Sequence, residues 1–249
     1  MKYLGAANYI LGMEIKRDWA KRKLWLNQRK YVETILQRFN MKDSKLVKVP
    51  ILVGVRLSTE QCPKTQEEEE DMSHVPYASE VGSLMYAMFC TRPDIAHAVE
   101  VLSRIMSKPG KEHWIAVKRA FRYLRGTSDY GLCYQGRPGL DRVLDIRGFV
   151  DADWAGDLDQ RISTSGYVFN LFGGADSWMS KKQSALVLSA IEIEYMAATH
   201  ASKKVVWFQR LCSSMGLVQG AIRIDCDSQS AIFLAKNPVY HSKTKHIDF

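Results

Sequence analysis

Residues 189–215, SAIEIEYMAATHASKKVVWFQRLCSSM, decide how this chain is read. Their spacing predicts one long helix from about Ser189 to Met215. Val187, Ala190, Ile191, Ala197, Ala198, Ala201, Val205 and Phe208 form an apolar stripe suited to packing on a sheet. Glu194 falls inside that stripe, and no Lys or Arg shares it. A carboxylate there is costly unless it leans out at the stripe's edge or meets a cation.

The flanking sequence supplies the sheet. Leu144–Val150 reads as a strand ending at Asp151. Thr164–Leu171 and Asp176–Ser180 read as a hairpin across Gly173-Gly174. Ala221–Cys226 is a further strand ending at Asp227, and Ser228 opens a helix through Ala235 that Asn237-Pro238 stops. This order predicts an α/β unit with three antiparallel strands, one parallel strand and the Glu194 helix packed on them. Open α/β sheets bind ligands at the C-terminal ends of strands, where Asp151 and Asp227 stand. Oxygen ligands from three segments, without His/Cys spacing, suit Mg²⁺ or Mn²⁺ rather than zinc. Two such ions ~4 Å apart activate water and stabilise a leaving oxygen in phosphodiester cleavage. Plainer readings stand beside this one. Asp227 can cap the helix that follows it, and Asp151 shares an Asp-rich loop with Asp153, Asp157 and Asp159. No G-x-S-x-G elbow or phosphate-binding Gly-rich loop is present. His246 and Asp248 in the tail read as structural or solvated.

Composition bounds the rest. The chain has 249 residues, 46% of them hydrophobic, with 35 Lys+Arg against 27 Asp+Glu, a net charge of +8. That excludes a disordered, collagen-like or coiled-coil protein. No apolar run reaches the ~18–20 residues that span a bilayer, so no membrane partner is expected. The first residues lack the order of a signal peptide. Five widely spaced cysteines without a C-x-x-C pair fit a reducing, intracellular setting, cytoplasmic or nuclear. Charge is unevenly placed. Residues 1–59 hold 13 basic and 4 acidic residues, and residues 60–80 hold 1 and 7. Residues 81–140 hold 9 and 4, and residues 141–249 hold 12 and 12. All excess positive charge therefore precedes about residue 140, as expected if that part grips a polyanion.

Within that basic part, Tyr9–Lys16 and Lys23–Leu26 read as strands joined by a charged turn. Asn27 is placed to cap a helix from Gln28 to Phe39, with Tyr31, Ile35, Leu36 and Phe39 on one face. Residues 45–76 read as an irregular connector, with Glu67–Asp71 as a solvated linker. Three helices follow, at about Ala78–Phe89, Pro93–Met106 and Lys111–Leu124. On the last, Lys118, Arg122 and Arg125 line up with Arg119 nearby, a stripe able to follow a phosphate backbone while Trp114 or Tyr123 stacks on sugar or base. The same stripe also reads as long cations covering the flank of an amphipathic helix.

Particular words in the sequence then point to a family. They are Val150–Asp157 (VDADWAGD), Ser163–Phe169 (STSGYVF), Ser177-Trp178 through Lys181-Lys182-Gln183, and Glu194-Tyr195-Met196-Ala197. Cys226–Ile232 (CDSQSAI), Asn237-Pro238-Val239 and Thr244–Asp248 (TKHID) follow in order. Together they resemble the ribonuclease H domain of copia-type retrotransposon Pol polyproteins of plants. Upstream, Ile10-Leu11-Gly12-Met13-Glu14-Ile15, Leu26-Asn27-Gln28, Val81–Tyr86, Thr91–Ile95 and His113-Trp114 through Arg122–Thr127 resemble the end of the same element's reverse transcriptase.

The resemblance implies an α+β thumb and connection region over residues 1–140 without a polymerase site, then a ribonuclease H-like mixed sheet with packed helices over residues 141–249. It implies two-metal (Mg²⁺ or Mn²⁺) hydrolysis of the RNA strand of an RNA–DNA hybrid, with Asp151, Glu194 and Asp227 as catalytic metal ligands. The basic region, with Lys118, Arg119, Arg122, Arg125 and Trp114, would hold the hybrid, and the remainder of the Pol polyprotein would be the partner. Two departures stand out. No adjacent Asp-Asp pair of the polymerase motif occurs, so no DNA synthesis by this chain alone is expected. The family's closing strand and fourth catalytic Asp have no counterpart, Asp248 being the nearest carboxylate. A C-terminally truncated domain is therefore expected, and a catalytically inactive remnant that at most binds nucleic acid is the alternative.

Overall fold

The computed structural model describes residues 5–136, 144–153, 156–183, 189–217 and 220–237. They form a mixed α/β protein with two four-stranded sheets. The chain divides into two compact units, Met1–Cys133 and Tyr134–Phe249.

The first unit begins with β1 (Tyr9–Ile10), β2 (Met13–Asp18) and β3 (Lys23–Asn27), an antiparallel set that β4 (Gly131–Gln135) extends in the order β1-β2-β3-β4. The single strand expected over Tyr9–Lys16 is instead two. Leu11 and Gly12 take φ of 47° and 69° and bring Ile10 opposite Met13. Two positive φ values make the tight turn that matches strand twist; glycine enters that region freely, and leucine does not. The Tyr86 hydroxyl donates to the Leu11 carbonyl at 2.5 Å and fastens the turn.

Helix α1 (Arg29–Arg38) starts one residue later than expected, although Asn27 Oδ1 does accept a bond from the Arg29 N–H at 3.2 Å. Its buried face is Val32, Ile35 and Leu36, with Tyr31 and Phe39 half-buried at the cluster's edge. The acidic run, expected as a linker, is helix α2 (Gln66–Ser73). Thr65 Oγ1 accepts from the Glu68 N–H at 3.3 Å, and the Glu68 carboxylate accepts the Lys64 and Thr65 N–H groups in return. Such a capping box, with acidic residues at the positive end of the helix, stabilises the turn that a charge count alone reads as coil.

Helices α3 (Tyr77–Thr91), α4 (Ala96–Ser103) and α5 (Lys111–Gly126) complete the unit, with a 3-10 turn at Pro93–Ile95 where proline halts α3. Val81, Leu84, Ile95, Val99, Leu102, Val117, Phe121 and Leu124 are fully shielded between these helices and α1. Each such side chain contributes roughly 1.5–3 kcal/mol by leaving water. Arg92, also buried, forks onto Asp94 at 2.7–2.9 Å and donates to the Thr127 carbonyl at 3.0 Å, tying the start of the 3-10 turn to the end of α5.

In the second unit, β5 (Ile146–Asp153), β6 (Thr164–Leu171) and β7 (Gly174–Lys182) are antiparallel neighbours, and β8 (Arg223–Asp225) runs parallel to β5 on its free edge. The order is β7-β6-β5-β8, and three antiparallel strands with one parallel strand are the set expected from the sequence. The boundaries differ: β7 is longer than the expected Asp176–Ser180, and β8 is shorter than the expected Ala221–Cys226. The β6–β7 turn lies at Phe172-Gly173, φ 49° and 86°, one residue before the expected pair. Strand β5 continues through Asp151 to Asp153, so Asp151 stands within the strand, opposite Gly166.

Helix α6 (Ala190–Ser214) packs on β5 and β6 through Ala201, Phe208 and Cys212, which meet Ile146, Val150 and Phe169. The Phe169 and Phe208 rings meet edge to face at 5.3 Å. A Cβ on Gly148 would lie 2.6 Å from the Phe169 ring, so glycine is what admits that ring to the core. The buried stripe of α6 runs through Ile193, Met196, Ala197, Ala201 and Phe208. Ile191, expected within it, is 43% exposed. Ser228 Oγ accepts from the Ala231 N–H at 3.2 Å and caps α7 (Gln229–Lys236), which packs against α6.

Candidate metal and nucleic-acid sites

Three elements of the second unit bring acidic groups together. The parallel pairing sets Phe149 opposite Asp225. Strand β8 ends there and Asp227 follows two residues on, while Asp151 lies two residues further along β5; the charge of Asp151 acts on Glu194, but among the described residues it is not part of the set of donor atoms within 4.8 Å of one another. Asp227 is exposed, and the cap of α7 belongs to Ser228, so its carboxylate is not spent as the helix cap. Asp151 is exposed and accepts the Ala152 N–H at 2.9 Å.

Glu194 enters from α6, one residue after the buried Ile193. One oxygen of Glu194, one of Asp227 and the Cys226 sulfur lie within 4.8 Å of one another. Glu194 Oε2 is shielded from solvent and has no hydrogen-bond partner. Burial, then the negative charges of Asp151 and Asp227, push its pKa up to about 6. The Cys226 thiol is pushed up as well, first by burial and then by the charges of Glu194, Asp227 and Asp151, against a backbone bond at Ser228 that pulls the other way. A thiol held protonated leaves oxygen as the donor, and an oxygen set is hard-cation chemistry. An orphaned carboxylate oxygen facing two more acids is the kind of group that a divalent cation completes.

Two residues here were not singled out by sequence reasoning. Cys226 gave no spacing signal beyond its place before Asp227. Gln183, 3% exposed at the end of β7, donates from Nε2 to Ser165 Oγ at 2.8 Å and to the Ile193 carbonyl at 3.1 Å. It thereby ties the first turns of α6 to the sheet one residue from Glu194. The tail residues Asp248 and His246, together with Val187 and Trp154, lie outside the described residues.

The basic stripe of α5 lies in the other unit. Its four cations are half-buried. Lys118 Nζ stands 5.0 Å from the Trp114 ring centroid. Arg122 donates to the Lys45 carbonyl at 2.6 Å and Arg125 to the Ser44 carbonyl, so both guanidiniums hold the connector against the helix. Arg119 Nε is shielded without a hydrogen-bond partner. Among the described residues no helix is long and apolar enough to cross a membrane.

No protein-family model matches the chain, and no solved structure matches it significantly. Curated proteins do, over its whole length. Over that length the chain is similar to one segment of retrovirus-related Pol polyproteins of plant transposons. It is 53% identical over 248 residues, all of this chain, to the retrovirus-related Pol polyprotein from transposon TNT 1-94 of Nicotiana tabacum, and spans 18% of that protein. It is 38% identical over 241 residues to the corresponding polyprotein from transposon RE2 of Arabidopsis thaliana, spanning 16% of it. An uncharacterized mitochondrial protein of Arabidopsis thaliana is 32% identical over 209 residues, and the chain covers 80% of its length.

Proposed function

We propose that the second unit is a ribonuclease H-like domain that hydrolyses the RNA strand of RNA–DNA hybrids. Mg²⁺ or Mn²⁺ would be held by Asp151, Glu194 and Asp227. The observation that carries this reading is the Glu194 carboxylate, with one oxygen buried and unpartnered, within 4.8 Å of an Asp227 oxygen, and raised in pKa first by burial and then by the charges of Asp151 and Asp227. Such mutual repulsion is tolerated where a cation or a proton removes charge. The β5–β8 edge would present Asp151 and Asp227 to one side of the cation, and α6 would bring Glu194 from the other. A divalent cation bound there supplies charge neutralisation and Lewis-acid polarisation of a phosphodiester. The first unit would be the thumb and connection region, contributing excess positive charge for the phosphate backbone. The chain spans 16–18% of those relatives, which are more than five times as long.

The test is cleavage of an end-labelled RNA–DNA hybrid by the purified chain. Product is expected only with Mg²⁺ or Mn²⁺, and at least ~100-fold less with Asp151→Asn, Glu194→Gln or Asp227→Asn. No metal-dependent product above those variants sinks the enzyme reading. The concentration of basic residues in the first 59, 13 against 4 acidic, favours the alternative in that case: an inactive remnant that retains nucleic-acid binding. Binding that persists with a steep salt dependence identifies it.

A further inference from the structure

Helix α6 buries one side against the sheet and turns another to water. Residues three and four apart are neighbours on a helix surface. Trp207 and Leu211, with Met215 at the C-terminal cap, therefore form one row, and Lys203 continues it one turn earlier. Val206 and Arg210 form the row beside it. Val206, Trp207, Leu211 and Met215 are 37–54% exposed, whereas Phe208 and Cys212 between them are buried in the core. Single exposed apolar residues are ordinary, but four on neighbouring turns mark a contact surface.

Cations surround these side chains. From Tyr195 to Ile224 the chain carries Lys203, Lys204, Arg210 and Arg223 and no acidic residue, although residues 141–249 as a whole are neutral. Arg210 is exposed, and among the described residues no ion pair is recorded for it. Lys204 Nζ stands 3.6 Å from the Trp207 ring centroid and 5.1 Å from that of Phe208. Burial there lowers the Lys204 pKa against the pull of Asp176. The ammonium thus covers one face of the indole and leaves the rest of the ring to a partner.

We infer that this face of α6 docks an acidic amphipathic helix of another polypeptide. Apolar side chains of that helix would meet the row of Trp207, Leu211 and Met215, and its carboxylates would meet Lys203 and Arg210. The row spans eight residues, about 12 Å, a little over two turns of a partner helix. Anchors at i, i+4 and i+8 on one helix suit apolar residues at the same spacing on another. Other occupants fit less well. A second copy of the chain would bring two positive faces together. A nucleic acid would set Val206, Leu211 and Met215 against phosphates, and the indole face under Lys204 is closed to a base. A bilayer takes up a helix whose apolar side is free, and that side of α6 is held by the sheet. The inference depends neither on cleavage nor on nucleic-acid binding by this chain.

The experiment is fluorescence anisotropy of a labelled synthetic peptide of about 20 residues, titrated with the full chain at about 50 mM salt. The peptide has leucine at i, i+3, i+4 and i+7 and glutamate at most other positions. A control of the same composition disperses its leucines around the helix. Unchanged circular dichroism and melting qualify each variant. The patterned peptide is expected to bind at least about tenfold more tightly than the control. Trp207→Ala is expected to weaken binding at least about tenfold, and Leu211→Ala severalfold. Arg210→Glu, on the exposed flank, is expected to weaken it severalfold and to reduce its salt dependence. No binding at about 100 μM chain, equal binding of both peptides, or binding that the variants leave unchanged overturns the inference. A strand of about 15 nucleotides, or phosphatidylserine vesicles, whose binding falls with Trp207→Ala while peptide binding does not, assigns the face to that ligand and overturns it as well. A concentration-dependent dimer that Trp207→Ala abolishes assigns the face to a second copy, with the same consequence.

Discussion

Glu194 and Asp227 approach within 4.8 Å, although one comes from α6 and the other from the loop after β8. Neither is neutralised by a Lys or Arg among the described ion pairs, and Glu194 keeps an oxygen without a partner. A cation that binds the folded state alone stabilises it by about 1.4 kcal/mol at ten times its dissociation constant. Mg²⁺ or Mn²⁺ is therefore expected to raise the melting temperature of the chain, and Glu194→Gln or Asp227→Asn to abolish that rise. An equal rise in the variants would mean that the ion acts elsewhere.

The place of Glu194 depends on Gln183, whose amide joins Ser165 and the Ile193 carbonyl. Gln183→Leu keeps similar bulk but removes both bonds, with an expected cost of about 1–3 kcal/mol. It removes no candidate ligand, yet it is expected to weaken the Mg²⁺-induced stabilisation severalfold. Calorimetric titration of Mn²⁺ into wild type and variant measures this. Equal affinities would show that α6 holds its position without the glutamine.

Much of the second unit was legible because its signals are local. Strands bounded by turn residues, a long amphipathic helix and Ser228 at a helix start all follow from neighbouring residues. The phase of α6 was not legible. Ile191 and Ile193 flank Glu192, and only packing against the sheet decides that Ile193 turns inward. The place of Cys226 beside Glu194 is likewise tertiary, invisible before β8 is paired with β5. In the first unit the signal for α2 was present in Thr65-Gln66-Glu67-Glu68. It was overridden by reading five consecutive acids as solvated coil, when helix capping and the ion pairs of Glu69 with Lys108 and Asp71 with Lys111 offset their repulsion. The Leu11-Gly12 turn escaped because leucine rarely adopts positive φ.

Glu80 gives the first unit a pH dependence. It is 1% exposed in α3, its Oε2 has no hydrogen-bond partner, and burial lifts its pKa to about 8 against the pull of Lys118. A raised carboxylate pKa means that the folded state holds a proton the unfolded chain has released. The contribution is fully present below about pH 4.5 and is lost as pH rises to about 8, by up to about 1.4 kcal/mol per unit. Glu80→Gln is expected to match wild type in urea unfolding near pH 5 and to exceed it by a few kcal/mol at pH 9. Parallel stability curves across that range would refute the buried-proton account.

Cys226 separates hard from soft cation chemistry at the candidate centre. Its thiol is held protonated by burial and by three neighbouring carboxylates, so Mg²⁺ gains nothing from it at neutral pH. A thiophilic ion, in contrast, can displace the proton and bind sulfur together with the Glu194 and Asp227 oxygens. Cys226→Ser is therefore expected to leave the Mg²⁺-induced melting shift within about 0.5 kcal/mol of wild type. The same variant is expected to remove the ultraviolet thiolate-to-metal charge-transfer band that Cd²⁺ produces. With wild type, Glu194→Gln should weaken both ions, because its carboxylate belongs to either donor set. A Cd²⁺ band that survives Cys226→Ser would place the ion at one of the other cysteines and remove Cys226 from the site.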